Sequence, residues 1–291
     1  MIDLAGLDDP GSKDFIARQL ALHSRITGWA LLKNHGLPHA HVQRVTSVAR
    51  SLLDEPAEDL KKWTVGTDRN DFVGYASNTK IGLESIWLSG KPGKLLHNKD
   101  RLPLWWHPHL EPIEYFKLLC QELVDKIQSC FDHIGMAMHL DSSPSEMTTR
   151  NDSPVSPISP NNPEPAVQMR VHRYTPNLSG ISPLTDYKQT GLSTSKGSLV
   201  LAFVSAAVSI EVEAHGDQWR SPPAEADGDL VYVYLADAIP FWSRGQAQAA
   251  TYRLAWRDRS PDAEKFIMTY LATKSEAYNL PADLIHLAYG T

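Results

Sequence analysis

Residues 230–235 read Leu-Val-Tyr-Val-Tyr-Leu, a run of β-branched and aromatic side chains with Gly228-Asp229 before it and Ala236-Asp237 after it. A short apolar run closed off by turn residues at both ends is the pattern of a buried strand. Moving outward, the same texture recurs at 168–174 (QMRVHRY), 199–203 (LVLAF), 208–213 (VSIEVE), 250–256 (ATYRLAW) and 266–272 (FIMTYLA), each set off by Gly, Pro, Asp or Ser. Many short strands at such spacing predict an antiparallel sandwich, barrel or jelly roll.

Upstream the periodicity changes. Residues 12–28 carry Phe15, Ile16, Leu20, Leu22 and Ile26, with Gly28 as a stop signal. Trp29-Ala30-Leu31-Leu32 then reads as a buried strand ending in Asn34-His35-Gly36. A second helix is expected over 39–53, where Val42, Val45, Ala49 and Leu52 share a face. The longest is expected over 112–139, along Leu119, Leu123, Ile127, Phe131, Ile134 and Met138. Between the two textures, residues 141–165 hold six Ser and six Pro and read as a flexible insert. The expected organisation is a helical region 1–140, the insert 141–165, and a β core with a C-terminal helix over 166–291, together one structural unit.

Composition narrows the function classes. The chain has 291 residues, 28 Lys plus Arg against 34 Asp plus Glu, and a net charge of −6. Without a basic stripe it is a poor partner for nucleic acid or anionic membrane. Cys120 and Cys130 fall ten residues apart within one helical pattern, so about 15 Å separates them along its axis, too far for a disulfide. The start shows neither a basic n-region nor an apolar h-region, and no run approaches the length of a membrane span. These features lead us to expect a soluble, cytoplasmic, globular protein.

Several segments together resemble the isopenicillin N synthase-like branch of the Fe(II)- and 2-oxoglutarate-dependent oxygenases. They are Ile2-Asp3-Leu4, the Gly28-Trp29 to Gly36-Leu37 stretch, Asp54-Glu55-Pro56 to Lys61, Gly74-Tyr75, and Arg170-Val171-His172-Arg173-Tyr174. Later come Trp219-Arg220-Ser221-Pro222-Pro223, Gly228 to Val233, Ala236-Asp237-Ala238-Ile239 and Phe241-Trp242-Ser243. The order and spacing of these pieces over nearly the whole chain make the resemblance specific. It implies an α+β fold, a double-stranded β-helix (jelly-roll) core with N-terminal helices packed around it.

The residues that carry the family's chemistry differ. Two imidazoles and a carboxylate would hold iron. The H-x-D motif matches Leu184-Thr185-Asp186, or in a second register Ser193-Thr194-Ser195, and the downstream histidine matches Tyr252. The Arg-x-Ser clamp for 2-oxoglutarate matches Lys265-Phe266-Ile267. His215 and His286 read as solvent-facing, His107-Pro108-His109 as a loop pair, and His35 as a structural position. The expectation is therefore no metal ligands and no cofactor, with neither Fe(II) nor 2-oxoglutarate bound.

Carried onto this chain, the resemblance puts Asp186, Tyr252 and Lys265 in the catalytic positions. Arg170, Tyr174, Leu184, Tyr232, Trp242, Arg253 and Ile267 would line the substrate. For each aromatic the plain alternative is core packing, for Asp186 a turn carboxylate, and for Lys265 a solvent-facing strand end. Three functions follow: a non-redox cyclase, isomerase or pericyclase acting on a small, largely apolar, natural-product-like intermediate; a pseudo-oxygenase that binds a ligand or acts as a partner subunit, as a homodimer or beside an active homologue; and a dioxygenase with an unusual ligand set such as Asp186 with Tyr252.

Overall fold

The computed structural model describes residues 1–63, 73–78, 82–136, 167–174, 189–190, 199–214, 218–220, 230–236, 239–243, 245–258, 260, 263 and 265–272. In chain order, β1 (Ile2–Asp3), α1 (Pro10–Ile26), β2 (Trp29–Lys33), α2 (His39–Leu53) and α3 (Ala57–Lys62) come first. Then follow β3 (Val73–Asn78), β4 (Leu83–Leu88), α4 (Lys94–His97), two 3-10 turns (Lys99–Arg101 and Leu104–His109) and α5 (Leu110–His133). The remainder is β5 (Val167–Tyr174), β6 (Gln189–Thr190), β7 (Leu199–Val204), β8 (Val208–Ala214), β9 (Gln218–Arg220), β10 (Val231–Leu235), α6 (Ile239–Trp242), β11 (Thr251–Trp256) and β12 (Lys265–Ala272).

These strands form two sheets. The larger has eight strands in the order β1-β2-β10-β7-β12-β5-β4-β3, and the smaller has four, β6-β11-β8-β9. Two-layer β packing was legible in the strand texture. That β3 and β4 complete the large sheet was not. The expected insert at 141–165 and the terminal helix near His286 lie outside the described residues.

Strand alternation divides the large sheet into two faces. Met169 and Val171 of β5, Leu201 and Phe203 of β7, Val231 and Val233 of β10, and Phe266, Met268 and Tyr270 of β12 point to the helices and join one core with α1, α2 and α5. Their neighbours along each strand point the other way, toward the small sheet. There Leu31, Tyr174, Val200, Tyr232, Tyr234 and Ile267 meet Ile210, Val212, Tyr252 and Leu254 in a second core.

The β2 corner shows why the sequence demands this geometry. Gly28 sits at φ 71°, and a Cβ there would lie 2.3 Å from the Gln248 carbonyl oxygen. Only glycine combines that left-handed backbone with so close an approach. The turn after β2 is equally specified. Asn34 adopts φ 53° and donates to Asp3 Oδ1 at 2.8 Å, and the Leu37 N–H donates to His35 Nδ1 at 3.1 Å. His35 thus fixes a turn. No helix among the described residues is long and apolar enough to cross a membrane, and Cys120 and Cys130 are separate buried thiols.

Candidate functional site

The inward face of the large sheet carries a polar patch, and the helix-facing side of β5 keeps its own ion pair, Arg173 with Glu84 and Asp54. Pairing places Trp87, Arg170, Thr269, Ala202, Tyr232 and Leu31 side by side across β4, β5, β12, β7, β10 and β2. The next row holds Ser85, His172, Ile267 and Val204, and the third Leu83, Tyr174 and Lys265. Both arise from one alternation in β5. Met169 and Val171 face the helices, while Arg170, His172 and Tyr174 face inward.

Arg170 is 7% exposed, and its Cζ lies 3.9 Å from the centroid of the Trp87 ring. A guanidinium stacked by its face donates through its edge, which suits a planar acceptor such as a carboxylate. Beside it, His172 Nδ1 is 2.7 Å from Ser85 Oγ. Burial, aided by the charge on Arg170, pushes this imidazole down to about 3, so it is neutral at physiological pH. Burial also raises the phenols of Tyr174, Tyr232 and Tyr234, which stay protonated. The patch therefore holds two buried cations, Arg170 and Lys265, with a neutral imidazole and phenolic hydroxyls on an apolar wall.

Tyr252 faces inward from β11 and stacks on Tyr234, with centroids 4.8 Å apart and planes inclined by 23°. Lys265 starts β12 on the inward face, but its ammonium turns back to donate to the carbonyls of Ser260 and Ala263 at 2.9 and 3.0 Å. It ties the β11–β12 turn and is not extended as a clamp. Ile267, Tyr232 and Tyr174 lie in the inward core. Arg253 lies elsewhere than the sequence placed it. It follows Tyr252 on the strand, so it points out of the small sheet, where it pairs with Glu211 at 2.6 Å and stacks 4.5 Å from the Trp219 ring centroid. Leu184, Asp186, both registers of the H-x-D position and the Trp242 side chain lie outside the described residues.

The sequence reading passed over Ser85, Trp87, His172 and Thr269 as site residues. Their signal was present in the alternation of β5, where charged and aromatic side chains take every second position between apolar ones. The His107-Pro108-His109 pair is explained by local structure, since His107 Nε2 lies 3.0 Å from the Lys99 carbonyl. Among the described residues no three His, Cys, Asp or Glu side chains come together in a set that could hold a metal ion.

The fold recurs in solved proteins. A full-length protein of Neurospora crassa, in complex with alpha-KG, aligns with a TM-score of 0.69 at 15% identity over 100% of this chain and 88% of its own. The dioxygenase for auxin oxidation 1 of Arabidopsis thaliana, in its 2-oxoglutarate complex, gives 0.67 at 13% over 97% and 96%. JOX2, in complex with 2OG, Fe and JA, gives 0.66 at 15% over 94% and 74%. The fold is that of the 2-oxoglutarate and iron oxygenases. A UPF0676 protein of Schizosaccharomyces pombe is 22% identical over 242 residues, 78% of this chain and 68% of that protein. No family model matches the chain. The oxygenase fold confirms the α+β jelly roll expected from the resemblance. One expectation is overturned: a chain without cofactor does not follow from this fold, because the Neurospora crassa protein is seen holding alpha-KG and JOX2 holding 2OG and Fe.

Proposed function

We propose that this chain is an enzyme that takes a small carboxylate-bearing molecule between its two sheets, anchored by Arg170. The observation that carries the reading is the buried Arg170 guanidinium stacked on Trp87 on the inward face. A cation in that position favours an anionic group and rejects neutral analogues, because desolvated charge pairs are far stronger than exposed ones. The 2-oxo acid that the fold neighbours hold has this chemistry.

The residues fit 2-oxoglutarate in a particular way. Lys265, at the family's clamp position, is committed to two turn carbonyls. Arg170 is the inward-facing side chain suited to grip a carboxylate, with the protonated Tyr174 phenol two rows away on the same face. Bound there, 2-oxoglutarate would supply reducing equivalents for oxidation. The described residues do not make an iron site: His172 is the one imidazole on the described strands, and Tyr252 stacks on Tyr234 where the family has its downstream histidine.

Calorimetric titration with 2-oxoglutarate tests the anchor. Arg170→Met should weaken binding by about 100-fold or more, in line with the loss of a buried charged hydrogen bond. Lys265→Met should leave it within about threefold. Equal loss in both variants would return the clamp to Lys265, and no binding in the parent protein would remove 2-oxoglutarate.

A second reading is a cyclase or isomerase acting on a small, largely apolar intermediate. The stacked Tyr234–Tyr252 pair favours it, since an aromatic wall with a phenolic donor can hold a reactive conformer and polarise a carbonyl. Tyr252→Phe keeps the ring and removes the hydroxyl. Unchanged turnover in that variant, measured on the true substrate, would eliminate the phenol as the acid.

A further inference from the structure

A cavity of about 620 Å³ lies against the helix-facing side of the large sheet, between α2 and β12. It arises from a mismatch in packing. Val45, Val48, Ala49 and Leu52 of α2 pack into the core, whereas the adjacent ridge of Val42, Thr46 and Arg50, spaced by four residues, lines the cavity. Beneath that ridge the floor is Phe203, Phe266 and Met268. Apolar side chains thus form one wall and a partly polar helix face the other, in a volume typical of small-molecule sites.

We propose that this cavity binds a second ligand, a flat or chain-like apolar molecule bearing one carboxylate. The Thr46 hydroxyl is turned to its own helix, donating to the Val42 carbonyl at 2.9 Å. Arg50 stands with Cζ 5.7 Å from the Phe266 ring centroid. Among the described lining residues Arg50 is the one arginine or lysine, and none is a carboxylate. A single guanidinium at the edge of an aromatic floor complements a monoanion whose apolar body covers Phe203 and Met268. Phe203, Phe266 and Met268 belong to the face opposite Arg170, while Tyr232, of the row that holds Arg170, also lines the cavity; the anchor here is Arg50, and its assignment does not depend on Arg170.

The test is calorimetric titration of the full chain with 2-naphthoate and with its neutral counterpart, 2-naphthamide. The expected result is saturable naphthoate binding that Arg50→Gln weakens by at least about tenfold while changing naphthamide binding by less than about threefold. Thr46→Trp, which fills the cavity, should abolish both, and Ser47→Trp on the same helix serves if that variant does not fold. Arg170→Met should leave naphthoate binding unchanged, which separates this site from the inward one. The proposal is overturned if naphthoate does not bind, if either the Arg50 or the cavity-filling variant leaves its binding unchanged, or if Arg170→Met removes it.

Discussion

The two faces of the large sheet are built from the same strands, yet they differ in what they bury. Toward the helices, Phe203, Phe266, Met268 and Tyr270 meet α5 and α2 in an apolar contact, with Phe116 and Phe203 edge-to-face at 5.3 Å. Toward the small sheet, the same strands bury Arg170 and Thr269 and half-bury His172 among tyrosines. A guanidinium removed from water is destabilising by several kcal/mol before any compensation, so burying Arg170 carries a cost that the aromatic packing of the helix-facing side does not. The contrast teaches that one set of strands can build a packed face and a polar face at once.

The largest effect should come from the helix-facing side. Phe116→Ala removes a fully buried ring and should lower unfolding stability by about 3–5 kcal/mol in urea titrations. A loss under about 1 kcal/mol would show that this face is no more critical than the other. Lys265→Met should follow, at about 1–3 kcal/mol, because the carbonyls of Ser260 and Ala263 lose their donor. If the variant were as stable as the parent, the lysine would be free to act elsewhere.

His172 sharpens the comparison through pH. Its imidazole sits near 3 in the fold against 6.5 in the unfolded chain, so below pH 6.5 the unfolded state takes up a proton that the folded state refuses. Stability therefore falls as pH drops through the window from 6.5 to 3, by about 1 kcal/mol between pH 6.5 and 5.5. His172→Asn should flatten that part of the stability curve, and an unchanged slope would show that the imidazole titrates in the fold as it does in the unfolded chain. The smallest effect belongs to Arg253→Ala on the outer surface, about 0.5–1 kcal/mol and reduced by salt. A larger loss would mean that the small sheet depends on the Glu211–Arg253–Trp219 stack.

Much of the architecture was legible because its signals are local. The ridge of α2 gave both ends of that helix, His39 and Leu53, and each core strand announced itself as a short apolar run. The β3–β4 hairpin gave no such run, since Glu84 and Ser85 interrupt Leu83–Leu88 and the pair is held by contacts with β5. The site was less readable for a different reason. A motif match assigns positions along a chain, whereas a strand assigns them to faces. Tyr252 and Arg253 are neighbours in sequence yet point to opposite sides of β11. His172, Ser85 and Trp87 come together only through the register of β4 on β5, which no spacing within either strand encodes.

The strand order β1-β2-β10-β7-β12-β5-β4-β3 has a consequence for how the molecule is made. Segments translated first supply both margins of the sheet, and segments translated last fill its middle. Leu32 of β2 waits for Val231 of β10, about two hundred residues later, before its hydrogen bonds can close. Pairings of such sequence separation are slow to form, and until they do, the amphipathic helices and bare strand edges of the first half face water. The nascent chain is therefore at its most aggregation-prone just before β10 and β12 leave the ribosome, and folding is completed from the centre of the sheet by its final strands.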